Sequence, residues 1–221
     1  MKKLTLRQIV DWCGGTVQPQ YETLCVTRIQ TDSRKVREGD LFIALKGDKV
    51  DGHDFAETAI SHGAVAALVS RPISKRLPSI EVPDTLRALG AIAAGYRRML
   101  GVKVIGITGS VGKTTTKEMT ANVLEGAFRT AKTEGNHNNN LGMPITIMDM
   151  KENTEVAVLE MGMNHAGEID YLAEIAQPDM AVITNIGTMH IEHLGTREGI
   201  LQAKLEIMHG MKPEGVGVFN G

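Results

Sequence analysis

The run Gly106-Ile107-Thr108-Gly109-Ser110-Val111-Gly112-Lys113-Thr114-Thr115-Thr116 sets three glycines, a lysine and a file of hydroxyls between a β-branched stretch and a helical one. That is the context of a phosphate loop. Backbone N–H groups of such a turn close around phosphate oxygens, and the N-terminus of the following helix adds partial positive charge. In this reading Gly109, Ser110, Val111, Gly112, Lys113, Thr114 and Thr115 hold a nucleoside triphosphate. Lys113 reaches the β- and γ-phosphates, and the Thr114 hydroxyl ligates Mg²⁺. The spacing is shorter than the strict Walker pattern, because Ile107 stands where its first glycine belongs. A glycine-rich left-handed turn is the plainer reading, and Gly-Lys-Thr-Thr between strand and helix argues against it. Nucleotide binding is expected, with the helix over 117–124.

Three other places carry chemistry-bearing side chains. Glu160 ends the apolar run Val158-Leu159-Glu160-Met161-Gly162, where a parallel sheet presents its ligand sites. A carboxylate there holds a metal ion or is a solvated loop acid, and the spacing does not choose. The segment Thr184-Asn185-Ile186-Gly187-Thr188-Met189-His190-Ile191-Glu192-His193-Leu194-Gly195 also follows a strand. Loop histidines are usually structural, and His-x-x-His without a cysteine pair does not make a zinc site. Lys204 falls four after Ile200 and three before Ile207, beside the apolar stripe of a helix expected over 196–209. The residues alone favour a lysine whose stem covers the core. The polar loop 133–144 contains Asn136-His137-Asn138-Asn139-Asn140. Its amides suit an anionic substrate or an Asn-rich left-handed turn, and the two readings stand level.

The elements that must position these groups fall into two textures. A capping box at Thr5-Leu6-Arg7-Gln8 opens a short helix that Gly14-Gly15 stops. Strands are expected at 26–31, 41–45, 66–69 and 79–82, with a helix over 55–62. Pro83-Asp84 marks a boundary, with Asp84 capping a helix to about Leu100. Apolar strands at 104–108, 156–159, 180–184 and 216–219 then alternate with helices, the pattern of a parallel sheet covered on both faces. The expected fold class is α/β. A small mixed α/β domain over 1–83 precedes a P-loop-type, mostly parallel sheet over 84–221 with helices on both faces. The last strand signal has no covering helix after it, so the chain reads as the front part of a longer protein.

Composition excludes several classes. The 24 Lys and Arg against 26 Asp and Glu give a net charge of −2, with 42% hydrophobic and 4% aromatic residues among 221. Such a chain is neither disordered nor a polybasic nucleic-acid arm. No apolar run approaches the ~18 residues of a membrane span. Arg7, Gln8 and Asp11 interrupt any signal peptide opened by Met1-Lys2-Lys3. Cys13 and Cys25 are too few for a disulfide framework. A cytoplasmic location is expected.

In this order the motifs resemble the Mur ligases of bacterial cell-wall synthesis, along the whole chain. Thr108-Gly109-Ser110-Val111-Gly112-Lys113-Thr114-Thr115-Thr116-Lys117-Glu118 looks like the family's phosphate loop and its continuation. Gly135-Asn136-His137-Asn138-Asn139-Asn140-Leu141-Gly142-Met143-Pro144 is similar to the Asn-rich stretch of the branch whose acceptor is D-alanyl-D-alanine. The 185–195 segment followed by Ala203-Lys204 completes the central-domain pattern. Asp32-Ser33-Arg34, Lys46-Gly47-Asp48 and Asp51-Gly52-His53 look like the domain that holds a UDP-sugar.

The resemblance implies ATP-dependent addition of D-Ala-D-Ala to UDP-N-acetylmuramoyl-tripeptide through an acyl phosphate, in peptidoglycan precursor synthesis. It implies ATP and Mg²⁺ as cofactors, and catalytic roles for Lys113, Glu160, His190 and Lys204. Thr114, Glu160 and His190 would ligate Mg²⁺. Lys204 matches a position carbamylated in relatives, where a buried neutral amine reacts with CO₂. Asn138 and Asn139 would contact substrate or position phosphates, and Ser33 and Arg34 the uridine diphosphate. The protein is expected to act as a monomer on small molecules, without nucleic acid. Family members have three domains, so the C-terminal domain is expected to be absent here and this polypeptide to be inactive or weakly active. The alternatives are a branch that adds a single amino acid and a nucleotide- or UDP-sugar-binding module without turnover.

Overall fold

A computed structural model describes residues 1–220; Gly221, where the second expected domain ends, lies outside the described residues. Contacts divide the chain into a first unit, Met1–Gly95, and a second from Tyr96 onward. In the first unit β1 (Leu4–Thr5) leads into α1 (Leu6–Cys13), followed by β2 (Thr16–Val17), β3 (Cys25–Val26), β4 (Arg28–Gln30) and β5 (Asp40–Ile43). Then come α2 (Ala56–Ser61), β6 (Ala66–Val69), β7 (Ser79–Glu81) and α3 (Thr85–Leu100), which opens in the first unit and ends in the second. The second unit continues with β8 (Lys103–Thr108), α4 (Lys113–Leu124), β9 (Thr130–Lys132), α5 (Gly142–Met148) and β10 (Val156–Glu160). It closes with α6 (Glu168–Ala176), β11 (Met180–Ile183), α7 (Ile191–Leu194), α8 (Arg197–Leu205) and β12 (Val216–Phe219).

The first unit is a five-stranded sheet in the order β2-β7-β6-β5-β4, parallel except for β2, with β1 and β3 paired beside it as a two-stranded antiparallel ribbon. The Thr5 capping box forms as expected, and Gly14 closes α1 in the left-handed region at φ 68°. The expected strand over 26–31 is instead broken at Thr27. The Arg28 guanidinium reaches across to Asp40 with two hydrogen bonds of 2.6 Å, and Asp40 also accepts from the Arg37 N–H at 2.8 Å. One buried carboxylate thus anchors the polar loop that carries Ser33 and Arg34. Phe42, Ala56, Ala59 and Ala67 pack α2 onto β5 and β6.

The second unit is a wholly parallel sheet in the order β12-β11-β8-β10-β9, flanked by helices. Strands buried on both faces read as continuous apolar runs, and β10 is buried along its whole length. The chain runs from β8 outward to β9, returns to β10, then crosses to β11 on the other side of β8. Such a reversal opens a crevice at the carboxyl ends of the central strands. Thr108, Glu160 and Ile183 end those strands side by side.

Three local expectations change. Helix α4 starts at Lys113 rather than Lys117, because Gly112 at φ 81° turns the chain directly into it and the Thr116 N–H already bonds the Gly112 carbonyl at 2.9 Å. The end of the Asn-rich loop is helical from Gly142, with Pro144 in the first turn where its missing N–H costs nothing. The helix expected over 196–209 runs only to Leu205 and tightens into a 3₁₀ turn, Glu206–Met208. No helix among the described residues is long and apolar enough to cross a membrane.

Ile107 is fully buried against Ala121 of α4 and Val158 of β10, so it seats the helix that follows the phosphate loop. Ile107→Ala is expected to lower the stability of the second unit by about 2–5 kcal/mol. Urea unfolding followed by circular dichroism measures it.

Candidate active site

The loop between β8 and α4 is braced from the neighbouring strand end. The Ser110 N–H bonds the Asn185 carbonyl at 3.1 Å, and the Val111 N–H bonds the Asn185 side-chain oxygen at 3.0 Å. Thr184 donates its hydroxyl to the Val111 carbonyl at 2.6 Å, and the Gly187 N–H donates to Ser110 Oγ at 2.9 Å. Gly109 has φ 150°, and a Cβ there would lie 1.9 Å from Thr184 Oγ1, so only glycine fits. No side chain caps the N-terminus of α4, whose first N–H groups lack intrahelical partners. The Lys113 ammonium donates to the Gly109 carbonyl at 2.9 Å.

Glu160 stands at the mouth of this loop and is only 2% exposed. Thr114 donates its hydroxyl to Oε2 at 2.9 Å, and the Asn138 amide donates to Oε1 at 2.8 Å. The Glu160 N–H is taken by the Thr133 hydroxyl at 3.0 Å. Among the described residues no cation pairs with Glu160 at salt-bridge distance. A buried carboxylate served only by neutral donors is arranged to receive a cation. Hydroxyl, carboxylate and amide oxygens are the hard donors that Mg²⁺ prefers, and Mg²⁺ needs only one or two protein carboxylates because it keeps waters. The described residues hold no cluster of three or more His, Cys, Asp or Glu that would cage a metal by themselves.

Two lysines and a histidine complete the site's electrostatics. Burial pushes the Lys113 ammonium below the usual lysine range, partly offset by the charge of Glu160. Lys204, 2% exposed on α8, is pushed down to about 8 by burial and then by the charge of Lys113. Its ammonium makes no hydrogen bond or ion pair among the described residues, and the rest of the side chain is buried. His190 is held below its ordinary value by burial and by the charges of Lys204 and Lys113. Its backbone lies in the left-handed region at φ 65°, which a non-glycine residue adopts rarely and often at functional sites.

The model of the Mur ligase middle domain matches residues 107–221, and that of the Mur ligase family, catalytic domain, matches residues 26–97. The chain belongs to the Mur ligase family. The UDP-N-acetylmuramoyl-tripeptide–D-alanyl-D-alanine ligase of Bacillus subtilis (strain 168) is 49% identical over 225 residues, covering all of this chain and 49% of that protein. A crystal structure of MurF from Acinetobacter baumannii matches at 41% identity with TM-score 0.94, over 99% of this chain and 49% of that one. A MurF ligase from Thermotoga maritima, solved in complex with ADP, matches at 38% identity with TM-score 0.84, over 88% of this chain and 45% of that one. The chain spans about half the length of the curated relatives it matches.

Within this Mur ligase chain the candidate residues separate. Gly109, Ser110, Val111, Gly112, Lys113, Thr114 and Thr115 form the loop and the first turn of α4, and Glu160 and Asn138 meet Thr114. Asn139 is turned elsewhere: its side-chain oxygen accepts from the Leu141 and Gly142 N–H groups and caps α5. The His193 ring meets that of His165 at 4.6 Å, tilted by 43°. Ser33 and Arg34 lie in the first unit, in a 3₁₀ turn where Arg34 forks onto Asp32 with two bonds of 2.9 Å. Thr133 carries no motif, and Thr184 and Asn185 declare themselves only by following a strand.

Lys204 generates a pH prediction. Between about 8 and 10.5 the unfolded chain binds more protons than the folded one, so stability rises with pH across that window. In CO₂-free buffer at pH 7, Lys204→Met is expected to be more stable by on the order of 3 kcal/mol. Urea midpoints measured at several pH values should show that advantage shrinking above pH 8.

Proposed function

We propose that the whole protein is an ATP-dependent ligase joining D-alanyl-D-alanine to UDP-N-acetylmuramoyl-tripeptide. Residues 1–83 would serve as the UDP-sugar domain and 84–221 as the ATP domain. The observation that carries the reading is the Thr114–Glu160–Asn138 contact at the mouth of the phosphate loop. It joins the loop to the Asn-rich segment, in a chain 49% identical to a ligase of that name. The Thermotoga relative, solved in complex with ADP, supports the binding of an adenine nucleotide.

In this reaction the terminal carboxylate of the tripeptide attacks the γ-phosphorus of ATP, ADP departs, and an acyl phosphate forms. The amine of D-alanyl-D-alanine then attacks the acyl carbon, loses its proton, and phosphate leaves. The first step drives one anion onto another, so positive charge has to converge there. Lys113 leaves the Gly109 carbonyl for the β- and γ-phosphates, while the loop N–H groups from Gly109 to Thr115 hold the remaining oxygens. Thr114, Glu160 and His190 would hold Mg²⁺, which supplies charge neutralisation between phosphate and carboxylate when bound. Asn138 keeps Glu160 aimed while meeting the substrate, with Asn139 beside it. Lys204, with its amine already partly neutral near pH 8, would add to CO₂, lose a proton and become a carbamate able to support a second Mg²⁺. Ser33 and Arg34 would hold the uridine diphosphate. The protein works as a monomer in the cytoplasm on small molecules.

The test is mass spectrometry of the product from ATP, Mg²⁺, UDP-N-acetylmuramoyl-tripeptide and D-alanyl-D-alanine, with the whole protein and with this chain. A pentapeptide product from the whole protein is expected; a single amino acid accepted in place of the dipeptide, or no product beside an active control, defeats the reading. Glu160→Gln is expected to lower turnover roughly 10²–10³-fold while this chain still binds ADP in EDTA.

A further inference from the structure

Lys117 lies one turn beyond Lys113 on α4 and is 1% exposed, yet no nucleotide role reaches it. Its ammonium donates to the Thr133 carbonyl at 2.7 Å and pairs with Glu118 Oε1 at 2.9 Å. The other oxygen of Glu118 takes Lys132 of β9 at 2.6 Å. One carboxylate on α4 therefore gathers two lysines, one from the helix and one from the strand that ends just before Thr133.

Thr133 is fully buried and tied to β10 at two points. Its N–H bonds the Val158 carbonyl at 3.1 Å, and its hydroxyl accepts the Glu160 N–H at 3.0 Å. Thr114 and Lys117 share one face of α4, being three residues apart. Thr114 grips the Glu160 carboxylate, while Lys117 grips the residue that holds the Glu160 backbone. A buried ammonium paired with a carboxylate that is itself 43% exposed is a weak device for stability, because desolvation cancels most of the attraction and an apolar side chain of that length packs as well. What the lysine adds is a fixed position for Thr133.

We propose that Lys117 is a positioning residue for the Glu160 carboxylate, acting through Thr133 without touching nucleotide or substrate. This rests on the ligase reading above. The consequence falls on Mg²⁺-dependent nucleotide binding and not on the phosphate loop itself.

The readout is the ratio of ADP affinity in Mg²⁺ to ADP affinity in EDTA, measured by titration calorimetry on the whole protein. Lys117→Met is expected to reduce that ratio roughly tenfold, in the range of residues that orient metal ligands, with the EDTA affinity changed less than about twofold. Loss of both affinities together would mark a merely structural lysine and overturn the proposal, as would an unchanged ratio. Thr133 supplies an independent route if Lys117→Met does not fold. Thr133→Val should reproduce the loss and Thr133→Ser should retain the wild-type ratio, and a wild-type ratio in Thr133→Val overturns the relay. The double variant Lys117→Met/Thr133→Val should be no worse than the worse single one; full additivity counts against the proposal. A wild-type protein whose ADP affinity ignores Mg²⁺ defeats the ligase reading itself, whereas a wild-type gain that survives in both variants defeats only the relay.

Discussion

A carboxylate at the end of a strand buried along its whole length is kept in place here by a hydroxyl and an amide, with no ion pair at salt-bridge distance among the described residues. That constraint on Glu160 organises the second unit. Desolvation works against an anion in such a position, and the hydrogen bonds from Thr114 and Asn138 offset only part of the cost. The remainder is the cost that a cation would offset under the proposed function. Thr114 belongs to the helix that follows the phosphate loop, so the element that receives phosphate also aims the carboxylate. The parallel register that puts Thr108, Glu160 and Ile183 at one edge makes this economy of parts available.

Positive charge is treated in the opposite way. Lys113 and Lys204 are both buried enough to weaken their hold on a proton, and Lys204 also feels the charge of Lys113. A like charge nearby disfavours the charged form of a group that is already desolvated. His190, tilted into a left-handed backbone conformation beside them, has its own charged form disfavoured by the same field.

Much of this was legible in the residues, for physical reasons that differ from place to place. The phosphate loop was legible because Gly109 and Gly112 occupy backbone angles that other residues avoid, and their spacing before Lys113 is short and local. Glu160 was legible as a strand end but not as a buried one, since burial depends on which strands flank β10. Lys117 and Thr133 were opaque: β9 is three residues long without a β-branched run, so nothing announced that a helix would press a lysine against it. Asn138 and Asn139 are adjacent and alike in sequence, yet one reaches Glu160 and the other caps α5. Arg34 read as an anion-binding side chain, and its pairing with Asp32 two residues earlier is a local fork that spacing alone does not distinguish from a ligand contact. Helix α4 starts four residues before the expected position because three threonines in a row are weak interior helix formers, and Gly112 overrides that preference.

The bracing of the phosphate loop by Thr184, Asn185 and Gly187 has a consequence for its motion. Four hydrogen bonds tie the loop to the segment that leaves β11, so the loop opens only when that strand end frays. A loop whose shape is borrowed from a sheet has little conformational freedom left to surrender when it closes on an anion. The Asn-rich segment is held differently, by its own turns and by Asn138, whose amide and carbonyl reach Glu160 and Gly162.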